Sequence, residues 1–396
     1  MSTMSRVALT LGLALGASAA KNSIVAPTGA ETLTVALLGD YGWTGWQPLP
    51  LDFCNNVMPK LKADGVQIPR EIQNDCDPGD RQAISNATIE EGSTARYIEN
   101  VCLQKNCSAF ISVGDNFYDS GVDFTSEGIQ RFYEGWANMY VGEAFDGKPW
   151  YQALGNHDVV AGRAGVDFQT RIAPLMEDRW YFGHDNLPYY TYDLTGSNWT
   201  ATFVVVDSDC FINNYQDATS VYNTDYVISC HKDTQKQVDF LRKSFAESDA
   251  TWKILQIHHG YVSSSSNYTE LAPLIDIVRE NNGVVVNGHD HCLAHYHYQG
   301  MDFVLTGGAG YAEAGDCNYG VPLGPYAKWL GADAKQAANG FVTLDISYNS
   351  LNFEYYARDM LLKGADYYPV KNDLAPSYSF SVTKHATKGS NGHGRE

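Results

Sequence analysis

Beyond its first twenty residues, the chain lacks any apolar run near the roughly eighteen residues that a membrane-spanning helix needs. It is also poor in basic residues, with 27 lysine and arginine against 46 aspartate and glutamate and a formal net charge of -19. Since no basic run could follow a phosphate backbone, we expect no nucleic-acid partner, and the charge argues against binding to anionic membranes. The cysteines lack zinc-finger spacing, and there is no internal repeat.

The composition is 44% hydrophobic and 18% charged over 396 residues, which suits one large globular domain. The first twenty residues carry one charge, Arg6, followed by the apolar run 7–17 and the small residues 18–20. This pattern is typical of a secretory signal peptide over residues 1–20, the alternative being an uncleaved interfacial helix. We therefore expect a secreted or extracellular protein, or one of an endomembrane or vacuolar lumen.

The cysteines and asparagines indicate the same compartment. Eight cysteines, an even number, allow four disulfides in an oxidising environment. Cys102 is close in sequence to Cys107, and Cys210 to Cys230, so both pairs are candidates within a connectivity that the sequence leaves open. Four glycosylation sequons are present, at Asn86, Asn106, Asn198 and Asn267.

The secondary-structure pattern predicts one domain over residues 31–360. A proline-rich surface insertion over about 43–93 interrupts it, as decoration or as a rim of a substrate cleft, and a polar C-terminal tail over 361–396 follows it. Helical spacing of apolar residues recurs over 94–104, 126–139, 235–245 and 271–281. The late strands follow one another without helices between them, so this part of the sheet structure should be antiparallel or mixed.

Five apolar runs of strand length each end in a polar turn. In chain order these turns are Gly39-Asp40-Tyr41-Gly42, Gly114-Asp115-Asn116-Phe117-Tyr118, Gly155-Asn156-His157-Asp158, His258-His259 and Gly288-His289-Asp290-His291. One Gly-Asp pair after a strand is usually only a turn. Five runs that all end in metal-ligand residue types are improbable by chance, and open α/β sheets bind ligands beyond the carboxyl ends of their strands. The pattern therefore predicts a metal site.

The candidate ligands divide by chemical hardness into two sets. The anionic oxygen donors, which suit a trivalent ion, are Asp40, Asp115 and Tyr118. The neutral donors, which suit a divalent ion, are Asn156, His258 and His289, and His291 can join either set. With the two oxygens of Asp115 bridging the ions, the separation becomes about 3.5 to 4 Å, the spacing used for in-line displacement at phosphorus. Phosphoester hydrolysis is the leading reaction.

These turns together resemble the purple acid phosphatases. The shared motifs are Gly-Asp-x-Gly from position 39, Gly-Asp-x-x-Tyr from 114, Gly-Asn-His-Asp from 155, the histidine at 258 and Gly-His-x-His from 288. General metallophosphoesterases share most of them but do not place a tyrosine at 118. The stretches Gly121-Val122, Arg131-Phe132 and Trp150-Tyr151 look especially like the small tartrate-resistant kind.

The resemblance implies an iron(III) ion held by Asp40, Asp115, Tyr118 and His291. It implies a divalent ion, Fe, Zn or Mn, held by Asp115, Asn156, His258 and His289. The implied fold is α/β (α+β), with two mixed β-sheets packed as a sandwich and helices outside. The implied activity is acid phosphatase, in which hydroxide at the Fe(III)-M(II) centre attacks the phosphorus of small phosphate monoesters in line. A phosphodiesterase or nucleotide pyrophosphatase, and a non-catalytic metal-binding protein, are the alternatives.

Other histidines have less certain roles. His157 follows a ligand in a tight turn, so its imidazole is available to bind substrate oxygen or protonate the leaving alkoxide, although it could simply orient the loop. Small family members carry another histidine shortly after the ligand matching His258, whereas residues 263–267 contain none. His259 could substitute for it or be structural. His295 and His297 are expected to be structural, and Asp207 to be a turn residue rather than a hydrogen-bond partner of the ligands.

Overall fold

The computed structural model describes residues 23–25, 30–42, 53–68, 89–183, 185–263, 268–310, 326–331, 338–358 and 374–384. The predicted signal peptide lies outside these residues, as does more than half of the predicted insertion. Within the described ranges, no helix combines the length and the apolar composition needed to span a bilayer.

The described strands, numbered in chain order, form two sheets. The eight-stranded sheet has the spatial order β1 (Ser23–Val25), β6 (Tyr190–Thr195), β7 (Thr200–Val205), β8 (Trp252–Gln256), β9 (Val284–Asn287), β11 (Met301–Thr306), β10 (Leu293–Tyr298) and β12 (Ala327–Leu330). The seven-stranded sheet has the order β15 (Tyr378–Thr383), β14 (Ser350–Arg358), β13 (Asn339–Ser347), β2 (Thr32–Leu38), β3 (Ala109–Ser112), β4 (Trp150–Tyr151) and β5 (Trp180–Tyr181).

Helices lie between the strands. The described α-helices are α1 (Met58–Ala63), α2 (Ile89–Lys105), α3 (Ser126–Phe132), α4 (Gly162–Asp167), α5 (Ala173–Met176), α6 (Asp225–His231), α7 (Thr234–Glu247) and α8 (Ala272–Glu280). Thr125 caps the N-terminus of helix α3, since its side chain accepts the backbone N–H of Gly128 at 3.1 Å. The helix predicted over 126–139 continues beyond Phe132 as a π-helical turn, Tyr133–Ala137.

Parallel pairing at the centre of each sheet explains the apolar runs of the sequence. Strands β2, β3, β4 and β5 pair in parallel with one another, as do β7, β8, β9 and β11. Every residue of β3 and β9 is buried, because other layers cover both faces of these strands. The late strands pair antiparallel, β10 with β11 and β13 with β14.

The two sheets pack face to face. Across their interface, the Gln256 side chain donates to the carbonyl oxygens of Ser112 and Tyr151 at 2.7 and 3.1 Å. The ring of Tyr192 stacks on that of Tyr151 with centroids 3.7 Å apart. The predicted fold class, two mixed sheets packed as a sandwich with helices, is therefore confirmed.

The C-terminal region contains more structure than a tail. Within the predicted tail 361–396, the strand Tyr378–Thr383 pairs antiparallel with Ser350–Arg358 at the edge of the seven-stranded sheet. Alternating exposed and half-buried residues give this edge strand a weak apolar signal in the sequence. The ring of Phe380 stacks on His295 at 3.5 Å and joins the two sheets at this edge.

Both candidate disulfides are present. Cys102 is bonded to Cys107 at the C-terminal end of α2, and Cys210 is bonded to Cys230. Cys54 and Cys292 are disulfide-bonded as well. The second bridge joins α6 to the turn after β7, and it closes the loop that carries Tyr215 and Tyr222.

Candidate metal centre

The turns singled out in the sequence meet at one edge of the sandwich. Asp40 follows β2 and Asp115 follows β3, while Asn156, His258 and His289 follow β4, β8 and β9. Asp40, Asp115, Asn156 and His258 are at least nine-tenths buried, and His289 is half-buried. All seven predicted metal ligands are therefore brought together by the packing of the two sheets.

The first donor set converges on the phenol oxygen of Tyr118. Tyr118 Oη lies 2.9 Å from Asp115 Oδ2, 3.2 Å from Asp40 Oδ1 and 2.9 Å from His291 Nε2. His291 Nε2 lies 3.7 Å from Asp40 Oδ1. Three oxygens and one nitrogen thus face a common point, which suits a hard cation.

The second donor set converges on the amide oxygen of Asn156. Asn156 Oδ1 lies 3.1 Å from His258 Nε2 and 2.8 Å from His289 Nδ1. His258 Nε2 lies 3.2 Å from Asp115 Oδ2. Two imidazole nitrogens, one amide oxygen and one carboxylate oxygen form a mixed set that suits a divalent ion of the zinc or manganese type.

Asp115 belongs to both sets through one oxygen. Its Oδ2 faces Tyr118 and His258, whereas its Oδ1 accepts the backbone N–H of His157 at 2.8 Å. The backbone of the Asn156-His157 turn hydrogen-bonds Oδ1, so Oδ2 is the oxygen that faces both donor sets. The single shared oxygen makes the two sets adjacent.

The ligand turns require unusual backbone geometry. Asp40, Asp115 and His289 have φ values of 61°, 51° and 77°, in the left-handed region that non-glycine residues seldom adopt. A Cβ on Gly155 would lie 2.3 Å from Asp115 Oδ1, and one on Gly288 would lie 2.3 Å from Asp40 Oδ2. These two glycines therefore allow the close approach of turns from different strands.

The electrostatics fit a site that binds cations. Burial raises the pKa of Asp40 well above its ordinary value. Burial also opposes ionisation of Asp115, but the attraction of His258 outweighs it and lowers the pKa of that carboxyl. Despite burial, Asp115 in turn raises the pKa of His258 to about 10, and burial lowers the pKa of His289 to about 3. Within the described residues, Asp40 and Asp115 form ion pairs with histidines, so bound cations would supply the charge these buried carboxylates need.

Hydrogen bonds from residues outside the two donor sets orient the predicted ligands and their turns. His258 Nδ1 lies 3.0 Å from the carbonyl oxygen of Val113, which can only accept, so Nδ1 carries a proton and Nε2, once deprotonated, is the nitrogen that would bind an ion. Asp158 was not predicted as a site residue. It is fully buried and accepts the backbone N–H groups of Asn116 and Gly155 at 3.1 and 2.9 Å, which ties two ligand turns together.

His157 is half-buried beside the first donor set. Its ring centroid lies 4.4 Å from that of Tyr118, and its Nδ1 lies 2.6 Å from the carbonyl oxygen of Asp119. Because that carbonyl can only accept, Nδ1 carries a proton, and Nε2 is the nitrogen left for contact with substrate.

His259 has a structural position. It is completely buried, with Nδ1 2.9 Å from Ser208 Oγ and Nε2 2.7 Å from Tyr215 Oη. Since both ring nitrogens are engaged by protein hydroxyls, His259 does not replace the missing histidine. Its ring supports that of His289, with centroids 4.5 Å apart.

Two tyrosines at the site were missed by the sequence reasoning. Tyr268 Oη lies 2.6 Å from His289 Nε2, and the ring of Tyr222 packs against those of His157 and Tyr215, with centroids 6.0 and 4.6 Å away. The only sequence signal for Tyr268 was its place directly after residues 263–267, where the expected histidine is lacking. Nothing in the sequence distinguished Tyr222 from the other tyrosines of the chain.

The remaining polar candidates lie away from the ligands. His295 and His297 bind Asp302 at 3.0 and 2.7 Å, which confirms their structural interpretation. Asp207 caps the short 3-10 turn Ser208–Phe211, accepting the N–H of Asp209 at 3.1 Å, as expected of a turn residue.

The fold and this donor set define a metal-dependent phosphoesterase. The family model for calcineurin-like phosphoesterases matches residues 88–293, and the chain belongs to this family, whose members are hydrolases. Within it, the chain is similar to curated purple acid phosphatases, which use a dinuclear metal centre. The resemblance inferred from the turns is thereby confirmed.

Two relatives illustrate the similarity. Purple acid phosphatase 7 of Arabidopsis thaliana is 29% identical over 255 residues, which cover 62% of this chain and 71% of the plant protein. Tartrate-resistant acid phosphatase type 5 of Oryctolagus cuniculus is 24% identical over 295 residues, covering 70% of this chain and 85% of the rabbit protein.

Solved structures share the fold at low sequence identity. GAP50, described as the anchor in the inner membrane complex of Plasmodium, aligns with a TM-score of 0.59 at 14% identity over 91% of both chains. PhoD aligns with a TM-score of 0.52 at 13% identity over 90% of this chain and 70% of PhoD. These likenesses concern the architecture alone.

Proposed function

We propose that the chain is a secreted acid phosphatase that hydrolyses small phosphate monoesters with a dinuclear Fe(III)-M(II) centre. The observation that carries the proposal is the shared oxygen of Asp115, which lies between a set containing the phenol of Tyr118 and a set of neutral donors. The disulfide Cys210–Cys230 supports an oxidising compartment.

The residues present fit the two ions. Asp40, Asp115, Tyr118 and His291 would hold the ferric ion, and Asp115, Asn156, His258 and His289 would hold the divalent ion. When bound, two adjacent cations would neutralise phosphate charge and lower the pKa of a water molecule for attack at phosphorus. The phenol of Tyr118 is the donor that favours a trivalent ion in the first position.

His157 is assigned to the leaving group. Its Nδ1 is fixed by the carbonyl of Asp119, so in the imidazolium form Nε2–H can donate to the ester oxygen as the P–O bond breaks. The product alcohol then carries the proton that His157 has lost. Because Asp115 Oδ1 accepts the backbone N–H of His157, the residue that joins the two donor sets also fixes the position of this proton donor.

Metal analysis combined with turnover tests the proposal. The full chain should carry two metal ions, one of them iron, and should hydrolyse p-nitrophenyl phosphate faster than bis(p-nitrophenyl) phosphate. Its pH optimum should be acidic, since a trivalent ion lowers the pKa of bound water below the roughly 7 reached on zinc.

Other outcomes would contradict it in distinct ways. Faster turnover of the diester would favour the phosphodiesterase alternative. Two bound ions with no turnover of either ester would identify a non-catalytic metal protein. A rate that rises steadily through alkaline pH would argue for a purely divalent pair.

A further inference from the structure

Of the two missed tyrosines, Tyr268 contacts a ligand of the second donor set. Its Oη lies 2.6 Å from His289 Nε2, and the residue is half-buried. By contrast, Tyr118 contacts the first set and its neighbours.

The contact of Tyr268 determines which nitrogen of His289 faces the second position. His289 Nδ1 lies 2.8 Å from Asn156 Oδ1, within the converging donor set, while Nε2 points to the phenol. When Nε2–H donates to Tyr268 Oη, Nδ1 is unprotonated and its lone pair is directed at the second position. A hydrogen bond to the remote nitrogen of a ligating histidine is a common way to fix its tautomer and ring orientation.

The ring of Tyr268 is itself held in place. It packs edge-on against His259 with centroids 4.8 Å apart, and His259 is bound by Ser208 and Tyr215. Tyr215 in turn contacts Tyr222, with centroids 4.6 Å apart. A continuous row of rings therefore connects the two tyrosines behind the second donor set.

We propose that Tyr268 is a positioning residue that orients His289 and thereby sets the affinity of the second position for its divalent ion. This inference builds on the two-position centre of the proposed function, but it concerns metal affinity and not turnover. Tyr268 thus lies directly after residues 263–267, where the expected histidine is lacking, and its hydroxyl contacts the predicted ligand His289.

The test compares divalent-ion binding in Tyr268→Phe and in the control Tyr261→Phe. Phenylalanine keeps each ring and removes only the hydroxyl. Tyr261 is a suitable control because it is half-buried three residues after His258, with its ring 6.4 Å from Tyr298. Cobalt(II) is the probe, titrated into the full chain with the first position filled, and its visible spectrum reports the geometry of the second position.

Tyr268→Phe should weaken cobalt binding by about 10- to 100-fold and alter its spectrum, as loss of such partners does in other metal sites. The colour from iron in the first position and the melting temperature should stay at the values of Tyr261→Phe.

Equal cobalt affinity in Tyr268→Phe and wild type would overturn the inference, as would equal weakening in Tyr268→Phe and Tyr261→Phe, which indicates a general packing effect. A wild-type chain that takes up no divalent ion would overturn this inference and the dinuclear centre together. A wild-type chain that binds cobalt but hydrolyses no ester would contradict the proposed phosphatase alone, and the comparison of affinities would still decide the role of Tyr268.

Discussion

Asp115 has three roles at the candidate metal centre, two through its side chain and one through its backbone. Its Oδ2 faces both donor sets, its Oδ1 accepts the N–H of His157, and its left-handed backbone carries the turn after β3. A buried carboxylate with histidine partners is stable only while positive charge is near it. Its loss would affect both metal positions at once.

Asp115→Asn should remove both ions, because the amide has no negative charge for them to share. Metal per chain after purification is the measurement. The control is Asp302→Asn, which changes a carboxylate bound to His295 and His297 outside the centre and should retain full metal. Two equivalents of metal in Asp115→Asn would show that the bridge is assigned to the wrong residue.

Tyr118 separates the purple acid phosphatases from other metallophosphoesterases. A phenolate bound to iron(III) absorbs visible light, so the wild-type protein should be pink to violet. Tyr118→Phe should fold, lose the colour and keep measurable activity, since Asp40, Asp115 and His291 still face the first position. Absorption spectra and iron content decide the matter, and a colourless wild-type protein with full iron and activity would rule out a phenolate ligand.

His157→Ala should slow hydrolysis of alkyl phosphates by about 10² to 10⁴ while metal content is unchanged. Nitrophenyl phosphate should be affected less, because nitrophenolate leaves without a proton. Rates on the two substrates give the comparison. An equal loss on both would instead assign His157 to phosphate binding or to support of the loop.

At the level of elements, turns from neighbouring strands interlock with almost no free space. A Cβ on Gly155 would lie 2.3 Å from Asp115 Oδ1 and 2.5 Å from the backbone nitrogen of Asp115. The turn after β4 therefore cannot carry a larger residue without displacing the turn after β3. The precision of the donor sets depends on this contact.

Gly155→Ala should destabilise the protein by about 1 to 3 kcal/mol through overpacking and should also reduce metal content. Gly92→Ala is the matched control. Gly92 lies within α2, and a Cβ there would meet Met139 Sδ at 3.7 Å, an ordinary contact distance. Alanine should therefore be neutral or slightly stabilising. Chemical denaturation of both variants measures the difference, and equal stability would mean that the turns can move apart freely.

For the molecule as a whole, Lys105 links α2 to the seven-stranded sheet. Its Nζ lies 3.0 Å from Asp345 Oδ2 on β13 and 2.7 Å from Glu354 Oε2 on β14. Burial lowers the pKa of Lys105, but the bonds to both carboxylates outweigh it and raise the pKa above the ordinary 10.5. Burial opposes ionisation of Glu354, yet Lys105 and Tyr356 lower its pKa below the ordinary 4.5.

Lys105→Met should cost about 1 kcal/mol of unfolding free energy, a value reduced for partial exposure to solvent. The raised pKa of Lys105 makes its contribution complete below pH 10.5 and lost as the pH rises above that value. The lowered pKa of Glu354 makes its contribution complete above pH 4.5 and lost in more acidic solution.

The loss in Lys105→Met should therefore be constant between these two limits and shrink outside them. Lys243→Met is the control, since Lys243 is exposed and lies 3.9 Å from Glu247 on the same helix. Denaturation at several pH values gives the profile. A loss that grows under acidic conditions would contradict the assigned ion pairs.

The sequence was sufficient for the strands and for the set of side chains that meet at the candidate centre. Buried parallel strands such as β3 and β9 require continuous apolar runs, and metal ligands require Asp, Tyr, Asn or His, so both leave a local record in residue type. The residue pairs Gly114-Asp115 and Gly288-His289 indicate the sharp backbone turns that the site needs. The strand Tyr378–Thr383 has no continuous apolar run in its sequence, because an edge strand exposes much of its surface.

Only the tertiary structure decided how the ligands share atoms and which side chains support them. Asp115 presents one oxygen to both positions because the turn carrying His157, from another strand, occupies its second oxygen. Tyr268 reaches His289 across turns that are distant in sequence. Such contacts depend on distances between separate strands, and no local pattern of residue types encodes those distances.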